Sequence, residues 1–79
     1  MEDRRQRLTV CFTQVFPNLP LERIGEVSAV SYADWDSVTQ LLLVGLIEEE
    51  FGIRLAIEEI ASLTSFELLL DHVQRHDER

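Results

Sequence analysis

Seventy-nine residues make one small domain, residues 1–79. A chain of this size buries only about 60–65% of its unfolded surface, so its core is thin. Fifteen acids against seven arginines, with no lysine, give a net charge of −8, which argues against nucleic-acid and anionic-membrane partners and favours basic protein surfaces.

The charge is unevenly spread. From residue 34 to residue 71, nine acids face Arg54 alone, so this half carries the whole excess. Self-repulsion of that kind predicts a fold stabilised by salt or divalent cations. Cys11 is the single cysteine, so no internal disulfide forms. No apolar run approaches the ~20 residues of a membrane span, and no signal-peptide pattern is present. The expectation is a cytoplasmic monomer.

In chain order, residues 3–16 read as an amphipathic helix. Leu8, Cys11, Phe12, Val15 and Phe16 share one stripe, with Arg4, Arg5 and Arg7 outside it. Those arginines sit near the positive end of the helix dipole and call for acidic partners elsewhere. Cys11 reads as a small core residue rather than a reactive thiol. Pro17 stops the helix. Residues 17–35 then form a long connection punctuated by Pro17, Pro20 and Gly25. A loop of that length without structure is unusual in a small domain. Leu19, Leu21, Ile24, Val27 and Val30 predict that it is pinned across the bundle, with room for a helical turn.

Residues 34–52, DWDSVTQLLLVGLIEEEFG, organise the chain. Asp36 is a good N-cap, Ser37 is the first helical residue, and Gly52 suits the left-handed position that ends a helix. Leu43, Val44, Ile47 and Phe51 form the core side. Val38, Leu41, Leu42, Gly45, Glu48 and Glu49 fall opposite: greasy in the first half, acidic at the end. A serine beside an apolar patch with an acidic border points to a docking surface. The competing reading buries Val38, Leu41 and Leu42 under the long loop. Trp35 has two compatible readings, a lid over the open end of the bundle or a partner contact. Gly45 costs about 1 kcal/mol of helix propensity relative to alanine.

Leu55 to Ala61 holds a short helix with Glu58 and Glu59 outward. Thr64-Ser65-Phe66-Glu67 reads as a capping box for a last helix. Phe66, Leu69, Leu70 and Val73 form that helix's buried stripe, and Arg75, His76 and Arg79 suit its C-terminal end. His72 and His76 lie at i, i+4, a spacing that can hold a metal. No third ligand is evident in the sequence, so they read as a solvated helix end with no metal. Ser37, His72 and Asp71 are the residue types of a hydrolytic triad. Nothing marks an oxyanion hole, and the chain leaves little room for a cleft, so no catalytic residue is assigned and no enzyme is expected.

Asp36-Ser37-Val38 followed at fixed spacing by Glu48-Glu49-Glu50-Phe51-Gly52 resembles the signature of acyl carrier proteins. The sequence from Ile53 to Val73 is similar to that family's short third helix and final helix. The long first loop and the overall length fit as well. The resemblance implies an all-α, four-helix carrier-like bundle: three longer helices, one short third helix and a long first loop. It implies that Ser37 carries a 4′-phosphopantetheine arm, attached from coenzyme A by a phosphopantetheinyl transferase (holo synthase). The arm would hold acyl groups as thioesters, loaded by an acyl ligase or acyltransferase, with a core cavity sheltering an apolar chain. The phosphodiester would sit at a helix N-terminus, where free N–H groups favour an anion. Trp35, Val38, Leu41, Leu42, Glu48 and Glu49 become the expected partner-docking face.

Two departures qualify the family role. Leu42 stands where many fatty-acid carriers have a recognition glutamate, and Gly45 replaces a larger apolar contact residue. Trp35 before Asp-Ser is similar to a variant in specialised carriers. A dedicated lipid, polyketide or surface-polysaccharide pathway therefore fits better than general fatty acid biosynthesis. The alternatives are an aminoacyl or peptidyl carrier and, from another class, an unmodified acidic helical module that binds a basic partner.

Overall fold

Five helices run through the chain, which a computed structural model describes for residues 4–76: α1 (Arg4–Val15), α2 (Leu21–Ile24), α3 (Ser37–Phe51), α4 (Ile57–Ile60) and α5 (Phe66–His76). Residue 3 and Arg79, both part of the expected helical ends, lie outside the described residues. The fold is all-α. Among the described residues the one β feature is an isolated antiparallel bridge, Ser28 to Ser65. No described helix is long and apolar enough to cross a membrane.

Four helices were expected, and the fifth is α2, the single turn inside the long connection. Pro20 sits at its N-cap with φ −61°, an angle that the pyrrolidine ring sets before folding. The connection is pinned, as its apolar residues predict, but by only part of that set. Leu19, Ile24 and Val27 are buried, whereas Leu21 and Val30 face solvent. Backbone bonds complete the pinning: Ala29 N–H donates to Thr64 C=O at 2.9 Å, and Phe66 N–H donates to Val27 C=O at 3.0 Å. The loop therefore lies along the start of α5.

Helix α1 packs against α2, α3 and α5. Leu8, Cys11, Phe12 and the following Phe16 are buried, and Val15 is half-buried against the same core. Phe12 is the hub. Its ring meets Phe66 at 5.1 Å, Trp35 at 5.4 Å and Phe16 at 5.9 Å between centroids. The first two meetings are edge-to-face, the geometry that ring quadrupoles favour. Burial pushes the Cys11 thiol up to about 11, with Glu50 adding to the shift, so it stays protonated and inert at neutral pH. The arginines of α1 do find partners. Arg7 Nε donates to Glu50 Oε2 at 2.8 Å, and its guanidinium lies 4.6 Å from the Phe51 ring centre. Arg5 lies over Phe66 in the same way, at 5.2 Å.

The core side of α3 is the expected one: Leu43, Val44, Ile47 and Phe51 are all buried. The helix closes at Gly52 with φ +65°, and Gly52 N–H donates to Glu48 C=O at 2.9 Å. A side chain there would be strained in the left-handed region. At the last helix the cap shifts by one residue. Ser65, not Thr64, caps α5, its Oγ accepting from Leu68 N–H at 3.1 Å. Thr64 instead spends its carbonyl on the loop. The short helix α4 is one turn, narrower than the expected Leu55 to Ala61, and Ile57 points outward at 83% exposure.

Candidate functional site

Ser37 is exposed and opens α3. Asp36 holds the start of that helix. Its Oδ1 accepts from the N–H groups of Val38 and Thr39, both at 3.0 Å. The hydroxyl of Thr39 reciprocates, accepting from Asp36 N–H at 2.8 Å. These bonds, with Thr39 N–H first, hold the Asp36 carboxyl below its usual range, so it is ionised at neutral pH. The serine hydroxyl is thus presented on a fixed turn, at the positive end of a 15-residue helix.

Beside Ser37 lies a cavity of about 550 Å³ between the start of α3 and α4. Trp35, Leu41, Ile57, Ile60 and Ala29 give it an apolar lining, and Asp36 and Ser37 stand on its wall. Gln40 braces it. The Gln40 side-chain oxygen accepts from the Trp35 indole N–H. Its amide donates to Ile60 C=O at 2.9 Å and to Leu63 C=O at 3.1 Å. One side chain therefore joins the tryptophan, the start of α3 and the end of α4. Sequence reading missed Gln40. The one available signal was a glutamine standing directly before the apolar run from Leu41 to Val44.

Of the six residues expected on an outward face, four are exposed. Val38, Leu41 and Leu42 are exposed at 65%, 63% and 58%, which overturns the reading that the loop covers them. Glu49 is exposed as well. For Trp35 the lid reading holds and its place on the outward face is corrected: at 4% exposure it is a core and cavity residue. Its neighbours Phe12 and Phe16 hold the indole on the inner side. Glu48 is a second correction. It is half-buried, and its Oε2 accepts from Leu55 N–H at 2.8 Å, so it ties the turn after α3 rather than standing free. Ile57, not expected on this face, is exposed across the cavity from Leu41.

The two histidines also differ from expectation. His72 is 5% exposed and is the one buried polar side chain among the described residues; only His76 lies at the solvated end. Burial lowers the His72 pKa, and the neighbouring His76 adds to the shift. Asp71 is engaged by Arg75 at 3.0 Å. No protein-family profile matches this chain, and no curated protein resembles it closely enough to count as a relative.

Proposed function

We propose that this protein is an acyl carrier whose Ser37 hydroxyl bears a 4′-phosphopantetheine arm. The observation that supports it most is the juxtaposition of an exposed serine at the start of α3 with an apolar cavity of about 550 Å³ opening beside it. A tether leaving Ser37 has solvent on one side and a greasy recess on the other. The volume matches what a small apolar ligand occupies. The phosphodiester at the serine meets the helix N-terminus, whose N–H groups and dipole favour an anion. Asp36 and Thr39 fix the turn and take no chemical step. On this reading the carrier bundle consists of α1, α3, α4 and α5, with α2 an added turn in the first loop.

The chain itself catalyses nothing. A phosphopantetheinyl transferase installs the arm, an acyl ligase or acyltransferase loads its thiol, and pathway enzymes dock on Val38, Leu41, Leu42 and Glu49. The greasy character of that patch fits a dedicated partner set. The same exposed patch favours the second reading, an unmodified module that binds a basic, partly apolar partner.

Intact mass separates the two. Wild type and Ser37→Ala are incubated with coenzyme A and a transferase of broad specificity. The carrier gains the mass of one phosphopantetheine in the wild type and nothing in the variant. No gain in either overturns the carrier reading, and equal gain in both overturns the assignment to Ser37.

A further inference from the structure

On the side of α4 away from the Ser37 cavity, three metal-ligating side chains converge. Glu59 comes from α4, His72 and His76 from α5. One ligand atom from each lies within 4.8 Å of the others. The two imidazoles stack with ring centres 4.2 Å apart, and His72 Nε2 stands 3.8 Å from Glu59 Oε1, too far for a hydrogen bond. We infer that Glu59, His72 and His76 form a binding site for a zinc-class divalent ion that clamps α4 onto α5.

The donor set carries the argument. Two imidazoles and one carboxylate suit Zn²⁺ and its borderline neighbours, and disfavour the all-oxygen ions Mg²⁺ and Ca²⁺. Metal bonds of roughly 2.0–2.2 Å place tetrahedral ligands about 3.4 Å apart, so closing this cluster takes up to about 1.4 Å of side-chain movement and a turn of exposed His76 out of its stack on His72, so that both nitrogen lone pairs meet the ion. The i, i+4 spacing on α5 aims both rings to one side of the helix. The third ligand is already oriented: Glu59 Oε1 accepts from Ala56 N–H at 3.1 Å, the kind of outer bond that fixes a ligating carboxylate. His72 is held from behind by its burial, while exposed His76 leaves the ion a way in and a position for water.

The consequence reaches the cavity. No residue of α4 is fully buried, and Ile60 alone packs against the core, yet Ile57 and Ile60 both line the recess beside Ser37. An ion on Glu59 adds the anchor that packing does not supply, and it slows the opening of α4. This site stands independently of the carrier reading.

The test is titration of the full chain with ZnCl₂ and CoCl₂ in chelator-free buffer. We expect one ion per chain, with half-saturation below about 100 µM. Bound Co²⁺ should show the visible bands of a low-coordinate site, and a hundredfold excess of Zn²⁺ over Kd should raise Tm on the order of 10 °C. His76→Ala removes an exposed ligand without disturbing the core and weakens binding at least about tenfold, as does Glu59→Gln. Glu58→Gln, next to the site but outside it, leaves affinity unchanged, and so does Ser37→Ala. Amide exchange across α4 slows when Zn²⁺ is added. No saturation by about 1 mM, equal affinity for Mg²⁺, or unaltered binding by His76→Ala overturns the site and leaves only diffuse attraction to an acidic protein.

Discussion

Two single-turn helices of four residues, α2 and α4, are held in different ways. The first is anchored by a side chain: Ile24 is 1% exposed and plugs into the core. The second buries none of its residues fully: Ile60 is half-buried against the core, and polar contacts supply the rest, from Gln40 to Ile60 C=O and from Glu59 to its own start. A fully buried side chain resists local opening more than a half-buried one helped by a few hydrogen bonds. The turn that flanks the Ser37 cavity is thus the one built to move, and the turn in the first loop is the one built to stay.

The largest effect expected from breaking this comparison is at Ile24. Ile24→Ala should cost about 2–5 kcal/mol, as deletion of a fully buried chain does. Ile57→Ala, at the matching helix but solvent-facing, should change stability by less than about 0.5 kcal/mol. Urea denaturation of both variants measures the contrast, and equal losses would dissolve it. Next comes Gln40→Leu, which strips the Trp35 indole of its acceptor and the carbonyls of Ile60 and Leu63 of their donor. It should destabilise by about 1–3 kcal/mol. Amide exchange should rise more across α4 than across α2, and uniform acceleration would deny Gln40 its local role.

Gly45→Ala works on neither turn and so sharpens the contrast. A β-carbon at Gly45 meets nothing within 4 Å, so the substitution should stabilise α3 by about 1 kcal/mol. Global unfolding should shift to higher urea while local opening of α4 keeps its free energy. The smallest effect is that of pH in the presence of chelator. Burial lowers the His72 pKa in the fold, so the unfolded chain binds the proton more readily near the ordinary value of 6.5. Its contribution is full above that pH and declines as pH falls through the folded value. The urea midpoint should therefore decrease from pH 7.5 to pH 5.5, and His72→Gln should flatten that slope.

Local signals were legible in the sequence because local physics makes them. Asp36 and Gly52 bound α3 where cap chemistry puts them, and its buried stripe follows from period alone. The all-α class and the pinned first loop were readable for similar reasons. What escaped depends on who lies across the gap. Trp35 takes the lid role that one of its two readings gave it, but the residues that bury it, Phe12 and Phe16, arrive from α1, and no spacing near residue 35 encodes them. Glu48 turned inward because the chain after Gly52 doubles back to offer Leu55 N–H. Glu59 and His72 come within 3.8 Å only through the return of α5. The move of the α5 cap from Thr64 to Ser65 has the same origin, since Thr64 is held by Ala29 of the first loop.

The pair of backbone rungs joining Val27 and Ala29 to Phe66 and Thr64 has a kinetic corollary. Helices such as α3 assemble from neighbours in well under a millisecond, but this seam must wait until a stretch of nearly forty intervening residues has been drawn into a ring. Closing that ring is therefore part of the rate-limiting step of assembly. Lengthening the connection between α3 and α5 should retard refolding while scarcely altering the rate at which the native state comes apart.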